Sequence, residues 1–576
     1  MPAPVSPALF DQFARGWRGA VLIGLIALVS SLFGAARMPV MDTDEARFAQ
    51  ATRQMVESGD YVRIRFQDEE RNKKPIGVHW LQAASVRAFE PLAQRLNAIW
   101  PYRLPSALGI VLAALATLWG GRALVGQRAA FLGAGLFAAG MLAGFEGMTA
   151  KTDALMLGFT TLALAALARL YAQPRATKWL ALVFWAALAC GILLKGPVTP
   201  LVAALTLAAL ALWERRAEWM RPLLWWPGPL LAALIIAPWS IAISFETGGR
   251  FFVDMLLGDI APKLVSGHED HFALPGYHLF LLPFLIFPAT YALPAATRLV
   301  WDAARAPRDD GVVAPYRFLA AWALPTLLFF ELTPTKLAHY ALPAYPAIAL
   351  LCGAGLGLMR GRRWRTAHPA GLVVFAVAGA TLVALMAAGA TFMPGDFAAD
   401  LRRAISTGLV GAGLVAAALT ALIMLRRPAA RTAVLIVCAL ALSFSLRERI
   451  LPEARALFVS SEAVAALTRA RLTPREDRPL WVVGYDEPSI VFLTRTSIRL
   501  AETREAGLGA QIGDALIIEG RALHQTAADL AQRGLMFTSV EPPVRGFALG
   551  RGQRVALYIG VLEASGEAAG IPPRNP

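Results

Sequence analysis

Apolar stretches of about 20 residues, the length that crosses a bilayer core, recur from Ala20 to Phe444 and are separated by short charged or Pro-rich joints. Their centres fall near residues 28, 112, 137, 162, 187, 206, 234, 287, 324, 348, 380, 416 and 438, which predicts about 13 transmembrane helices. From about Arg447 the pattern changes. The segments Leu480–Gly484, Ile490–Leu493, Ala515–Glu519 and Val555–Ile559 alternate or run apolar like strands, whereas Ser461–Ala470 and Leu523–Arg533 have helical spacing. The expected fold is mainly α: a polytopic membrane bundle over residues 1–446, with a long first loop at 39–101, followed by a small α/β domain over 447–576.

Composition agrees with that pattern. The 576 residues are 57% hydrophobic and 16% charged, with mean hydropathy +0.52. The net charge of +15 does not point to nucleic acid, because the basic residues collect at span ends rather than on one patch. A cytoplasmic N-terminus brings Arg122 and Arg128, Arg175 and Lys178, Arg215 to Arg221, Arg298 to Arg317, Arg360 to Arg365, and Arg426 to Arg431 to one side, as the positive-inside rule requires. The first loop and the joints Phe145–Asp153, Lys195, Phe245–Gly276, Glu331–Tyr340 and Thr391–Thr407 then lie outside, and an odd span count leaves the tail outside too. The first loop breaks the charge rule with Arg47, Arg53, Arg63, Arg65, Arg71, Lys73 and Lys74, although the rule weakens in loops this long. The first apolar segment follows Arg15 and Arg18 as a signal peptide would, but its length and the lack of a small-x-small site before Asp42 favour a retained anchor. Cys190, Cys352 and Cys438 all sit in apolar stretches, where a thiol acts as a small hydrophobe.

Candidate chemistry concentrates in the outer joints. Asp42, Asp44 and Glu45 cluster where the first span leaves the membrane. Asp44 suits the N-cap of a helix from about Glu45 to Ser58, but three acids at that depth exceed what a cap needs. Lys73, Lys74 and Pro75 precede a helical stretch from Ile76, where free backbone N–H groups and two ammonium groups suit a phosphate; a headgroup contact competes. Asp153 lies in a tight apolar hairpin beside Lys151 and calls for a partner, and Lys195 ends a span, where snorkelling is the alternative. His268, Glu269 and His271 offer donors for a divalent metal, although adjacent loop positions fix no geometry. If a span begins near Lys336, spacing of four puts Lys336 and Tyr340 on one face, able to grip one anion. No Gly-rich phosphate loop, H-E-x-x-H or G-x-S-x-G pattern is present.

The run Asp44-Glu45-Ala46-Arg47-Phe48-Ala49, with Ser58–Val62, Lys74-Pro75, His79-Trp80-Leu81 and Arg103-Leu104-Pro105-Ser106, resembles the first loop of bacterial polyprenyl-phosphate-sugar glycosyltransferases. These GT-C enzymes include the lipid A aminoarabinose transferase and relatives of protein O-mannosyltransferases. Lys195-Gly196-Pro197 and the stretch Lys336 to Pro343 extend the similarity, and Tyr485 to Leu500 resembles the periplasmic domain of the aminoarabinose group. The resemblance implies inverting transfer from undecaprenyl phosphate, on the periplasmic face of the inner membrane, to a lipid A-like or other cell-envelope acceptor. By position, Asp44 would be the catalytic carboxylate, and Arg47, Lys74, Lys336 and Tyr340 would hold the donor phosphate. The outer joints add Asp153 as a second catalytic carboxylate and Lys195 as a further phosphate ligand, with Asp42 and Glu45 completing the acidic cluster. One departure bears on the metal: the aminoarabinose transferase has a Glu before the Lys-Pro pair and uses it with histidines, whereas this chain has Lys73. A charge-clamped site without a metal is the expectation, with a different sugar or acceptor. The rival readings are a lipid-linked-sugar transporter or flippase and a membrane assembly module; polar residues gathered at the outer joints rather than at mid-span favour an enzyme.

Overall fold

The computed structural model describes residues 9–42, 44–173, 178–265, 272–307, 313–359, 366–393, 397–475 and 478–565. Helix covers twelve of the thirteen span centres; the remaining one, near residue 287, falls in the break between Tyr277–Leu285 and Ala289–Arg305, where the chain turns by 110°. Pro283 and Pro288 flank that break, each removing a backbone donor. By length and apolarity, seven helices among the described residues suffice to cross a membrane, nine if the two bent pairs count, with three shorter apolar helices besides.

Small residues set the closest packing in the bundle, as expected where lipid removes any hydrophobic drive between helices. A Cβ on Gly109 would meet the Ala154 carbonyl carbon at 2.6 Å, and one on Gly120 would meet Ala165 at 2.7 Å. Helices Trp100–Leu124 and Asp153–Ala172 therefore run in near-backbone contact, and the first of these contacts pins the turn that carries Asp153.

The first loop folds as two helices, Asp44–Ser58 and Gly77–Ala93, bridged by a hairpin of β1 (Arg65–Phe66) and β2 (Glu69–Glu70). Inside it, the Thr52 hydroxyl lies 2.7 Å from both His79 Nδ1 and Gln82 Oε1. Three of the loop's seven cations that break the charge rule make structural contacts. Arg53 pairs with Glu57 and donates to the carbonyls of Phe492 and Thr494, Arg63 pairs with Asp60, and Arg71 stacks on Phe48 at 4.6 Å.

The C-terminal part is a six-stranded sheet of β3 (Leu480–Val483), β4 (Arg499–Ala501), β5 (Ala515–Glu519), β6 (Leu535–Ser539), β7 (Val544–Ala548) and β8 (Gln553–Ala564). Its order is β4-β3-β5-β8-β6, with β7 also on β8; β3 runs parallel to β4 and β5, and the pairs with β8 are antiparallel. Strands β3 and β5 are buried along their whole length, which explains their unbroken apolar runs. The expected helices appear at Val459–Arg469 and Leu523–Ala531. Ile490–Leu493, expected as a strand, is instead the end of a short helix, Pro488–Leu493. A four-residue apolar run fits either element, and Pro488 at the first helical position decides it. This helix packs on Asp44–Ser58, where Arg53 donates to the Phe492 carbonyl at 2.7 Å; beside it Phe492 meets Tyr102 edge-on at 5.4 Å, and the Leu493 carbonyl accepts from Asn97 at 2.8 Å.

Candidate active site

Asp44 and Glu45 open one helix but turn to different neighbours. Glu45 is 2% exposed and forms a two-point pair with Arg103, both contacts at 2.8 Å, while also accepting from the backbone amides of Met41 and Ala150 at 2.8 Å. Arg103 spends its remaining donors on the carbonyls of Ala35, Met38 and Pro39. The pair thus joins the exit of the first span, the Asp44 helix and the turn before Asp153, and it fixes where Asp44 points.

Asp44 faces Arg71, Lys151, Asp153 and His339. Burial pushes its carboxyl up, but Arg71, Lys151 and His339 outweigh burial and hold it below the usual carboxylate value. Asp153 accepts from Lys195 and lies 3.9 Å from Lys151 Nζ and 3.5 Å from His339 Nε2. Glu146 sits 3.0 Å from Lys151 Nζ and 3.8 Å from His339 Nδ1. Burial opposes the charge on Lys151, yet Glu146, Asp153 and Asp44 raise its pKa above the ordinary value, so it stays an ammonium. Lys195 Nζ lies 5.3 Å from the centre of the Tyr340 ring, within cation–π reach.

A second charged group adjoins the first through Lys195, which acts electrostatically on both Lys74 and Lys263. Asp259 accepts from Lys74, and from Lys263 at 2.6 Å. Burial lowers the Lys74 pKa to about 8, partly offset by Asp259. The Asp259 carboxyl is pushed up by burial and drawn below its usual value by the two lysines. Cations and carboxylates thus alternate around one buried region at the ends of several spans, where a low dielectric strengthens each charge.

Of the residues singled out in the sequence, Asp44, Asp153, Lys74, Lys195 and Tyr340 fall in this region. Lys336 does not pair with Tyr340. No α-helical turn joins them, because a 3₁₀ helix starts only at Ala338, and the Lys336 ammonium donates to the carbonyls of Ala273 at 2.9 Å and Thr333 at 2.6 Å. Asp42 and Arg47 belong to the contact with the C-terminal domain: Asp42 accepts from the Ser489 amide at 3.2 Å, and Arg47 acts on Asp42 and Glu487. His268, Glu269 and His271 lie outside the described residues. Among the described residues no three His, Cys, Asp or Glu side chains gather in a way that could hold a metal ion, and near the Lys-Pro pair His79 faces Thr52 through Nδ1. Sequence reasoning did not assign roles to Glu146, Lys151, His339, Asp259 and Lys263. Two acids and a lysine in the short joint Phe145–Asp153 were the available signal, since ionisable groups between apolar spans need partners.

Residues 73–241 match the family described as dolichyl-phosphate-mannose-protein mannosyltransferase. The chain is 28% identical over 351 residues to an undecaprenyl phosphate-alpha-4-amino-4-deoxy-L-arabinose arabinosyl transferase of Pseudomonas fluorescens, covering 60% of each protein. It is 30% identical over 325 residues to the enzyme of that name from Pseudomonas aeruginosa, covering 54% of this chain and 55% of the relative. Each match therefore spans less than two thirds of the relative's length. The crystal structure of ArnT from Cupriavidus metallidurans bound to undecaprenyl phosphate superposes with a TM-score of 0.74 at 20% identity, covering 94% of this chain and 98% of that one. The bundle and the C-terminal sheet domain thus follow one shared fold.

Proposed function

We propose, for a chain that belongs to the bacterial GT-C type of polyprenyl-phosphate-sugar glycosyltransferases, that it moves a sugar from undecaprenyl phosphate to a lipid A-like lipid or another cell-envelope acceptor. The observation that carries this reading is the meeting of Asp44 and Asp153 with Lys151, Lys195 and Lys74 in one buried region. The reaction faces the periplasm of the inner membrane, with the N-terminus cytoplasmic and residues 447–576 forming a periplasmic domain; the basic residues at alternate span ends support this orientation.

Breaking the bond between sugar and phosphate leaves negative charge on the lipid phosphate and positive charge at the anomeric carbon. Lys74 stabilises the first where it develops, in a site already organised to receive it. Lys263 and Tyr340 flank it, and Lys195 links it to the carboxylates. Asp44 answers the second. A carboxylate held below its ordinary pKa is a weak base, so electrostatic support of the oxocarbenium-like centre suits it better than proton abstraction. An acceptor phosphate would need no base at all. An acceptor hydroxyl would pass its proton to Asp44 only as the new bond forms. Asp153, fixed by Lys195 and flanked by His339, positions the acceptor side.

The test is transfer of radiolabelled sugar from undecaprenyl phosphate to lipid A by the purified protein in proteoliposomes. Asp44→Asn and Lys74→Ala should each reduce transfer by at least about 100-fold. Transfer at the parent rate by either variant overturns its assignment, and translocation of the donor without any glycosylated product would make the protein a flippase.

A further inference from the structure

We propose that Asp259 is a placeholder for the donor phosphate: its carboxylate occupies Lys74 and Lys263 in the resting protein, the incoming phosphodiester displaces it, and its return helps expel the lipid monophosphate after transfer. This rests on the assignment of Lys74 to the donor phosphate made above.

The manner in which Asp259 is held differs from that of the structural carboxylates. Glu45 is tied by Arg103 and by two backbone amides. Asp259 is 3% exposed, and among the described residues its hydrogen bonds come from two lysine ammonium groups and no backbone amide. A carboxylate bridging two ammonium groups presents two oxygens and one negative charge, which is also what a phosphodiester presents. Exchange of one for the other conserves the charge of the site and leaves no buried lysine unpaired, so it avoids the penalty of an isolated buried charge.

The segment around Asp259 is irregular in geometry. Asp259 lies in a π-helical turn, Asp254–Ile260, a geometry concentrated at functional sites. The turn and its flanks expose Val253, Leu256, Leu257 and Leu264, an apolar face suited to the lipid from which a polyprenyl chain arrives. Its first turn is tethered to the first loop, through Asn72 to Asp254 at 2.9 Å and Arg250 to Glu70 at 3.6 Å, whereas the end carrying Asp259 is tied to that loop by the Lys74 pair.

The exchange also answers a difficulty in the reaction. The departing monophosphate carries about −1.5 to −2 charges at neutral pH, more than the donor phosphodiester, and would hold two lysines more firmly than the donor did. A tethered carboxylate competes for those lysines and weakens the product's grip.

Radiolabelled undecaprenyl phosphate binding to the purified full chain in nanodiscs provides the test, with thermal unfolding recorded for every variant. Asp259→Asn should bind undecaprenyl phosphate about tenfold more tightly than the parent, because no competing anion occupies the lysines. Its KM for the donor should fall, product inhibition should strengthen, and kcat should fall as release slows. Asp259→Ser provides the same test should the amide variant lose thermal stability. Binding that is unchanged or weaker in a folded Asp259 variant overturns the placeholder. Lys74→Ala separates the two claims: if it binds undecaprenyl phosphate like the parent, the donor-site reading fails and the placeholder with it. Loss of binding in Lys74→Ala with no gain in Asp259→Asn overturns the placeholder alone.

Discussion

Two neighbouring acids, Asp44 and Glu45, divide the work of the first loop, and the division yields opposite mutational signatures. Glu45 and Arg103 are fully enclosed, so Arg103→Met leaves a buried carboxylate without its counter-charge and should cost about 3–5 kcal/mol of stability, read as a lowered unfolding temperature in detergent. Asp44→Asn should unfold near the parent temperature while transfer is lost. The pH dependence separates them further. Burial raises the Asp44 pKa, but Arg71, the largest opposing influence, and Lys151 bring it below the ordinary value. Protonation therefore requires more acid than usual, and kcat/KM should show no Asp44 limb as the pH falls to about 5. Arg71→Met removes the largest lowering influence, so the pKa rises and the acid limb should move to higher pH. The sequence shows three acids together and cannot sort them. Glu45 finds Arg103 across 58 positions, and Lys336 finds two carbonyls instead of Tyr340 because the local helix is 3₁₀. Partners so far apart in sequence leave no local pattern.

Among the elements, the contact between the Asp44–Ser58 helix and Pro488–Leu493 contains a pair of carboxyls that should make it sensitive to pH. Burial raises Asp42 to about 6, opposed by Ser489 and Arg47, and burial followed by Asp42 raises Glu487 to about 7, opposed by Arg551 and Arg47 and reinforced by Asp486. Both pKa values lie above the ordinary ones, so the docked form binds more protons than the undocked one between about pH 4 and 7. The docking is consequently strongest at the acidic end of that window, weakens as the pH rises through 6 and 7, and levels off above. Hydrogen exchange of Pro488–Leu493, corrected for intrinsic rate, should be about tenfold better protected at pH 5 than at pH 8. The double substitution Asp42→Asn with Glu487→Gln should flatten the profile; an unaltered profile would exclude this pair as its source. Elements were readable where burial demands an unbroken apolar run of sufficient length. Strand β5 appears at its expected residues, and the spans lie where the apolar runs are long. The four residues Ile490–Leu493 were too short to show a period, so their helix was not legible.

The whole molecule is a lipid-embedded bundle whose outer joints gather charge beneath a sheet domain, and its orientation governs whether the proposed chemistry is reachable by its substrates. In the proposed orientation, which rests on cations at alternate span ends, Arg427 is inside and the C-terminal domain outside. The native thiols suit a labelling test, because Cys352 and Cys438 are buried and Cys190 is partly covered within the helix Trp179–Lys195. Arg504 and Arg427 are both exposed. In whole cells with a permeabilised outer membrane, Arg504→Cys should react with a membrane-impermeant maleimide, and Arg427→Cys should react only after the inner membrane is opened. Labelling of both sites from outside, or of neither, would break the odd span count. The reverse result would move Asp44, Lys74 and the whole charged region to the cytoplasmic face. Asp42, Arg53 and Gln67 each hydrogen-bond the stretch Ser489–Ile498, which ties the first loop to the sheet domain. The site and that domain must therefore lie on the same side of the membrane, so a single pair of labels locates both.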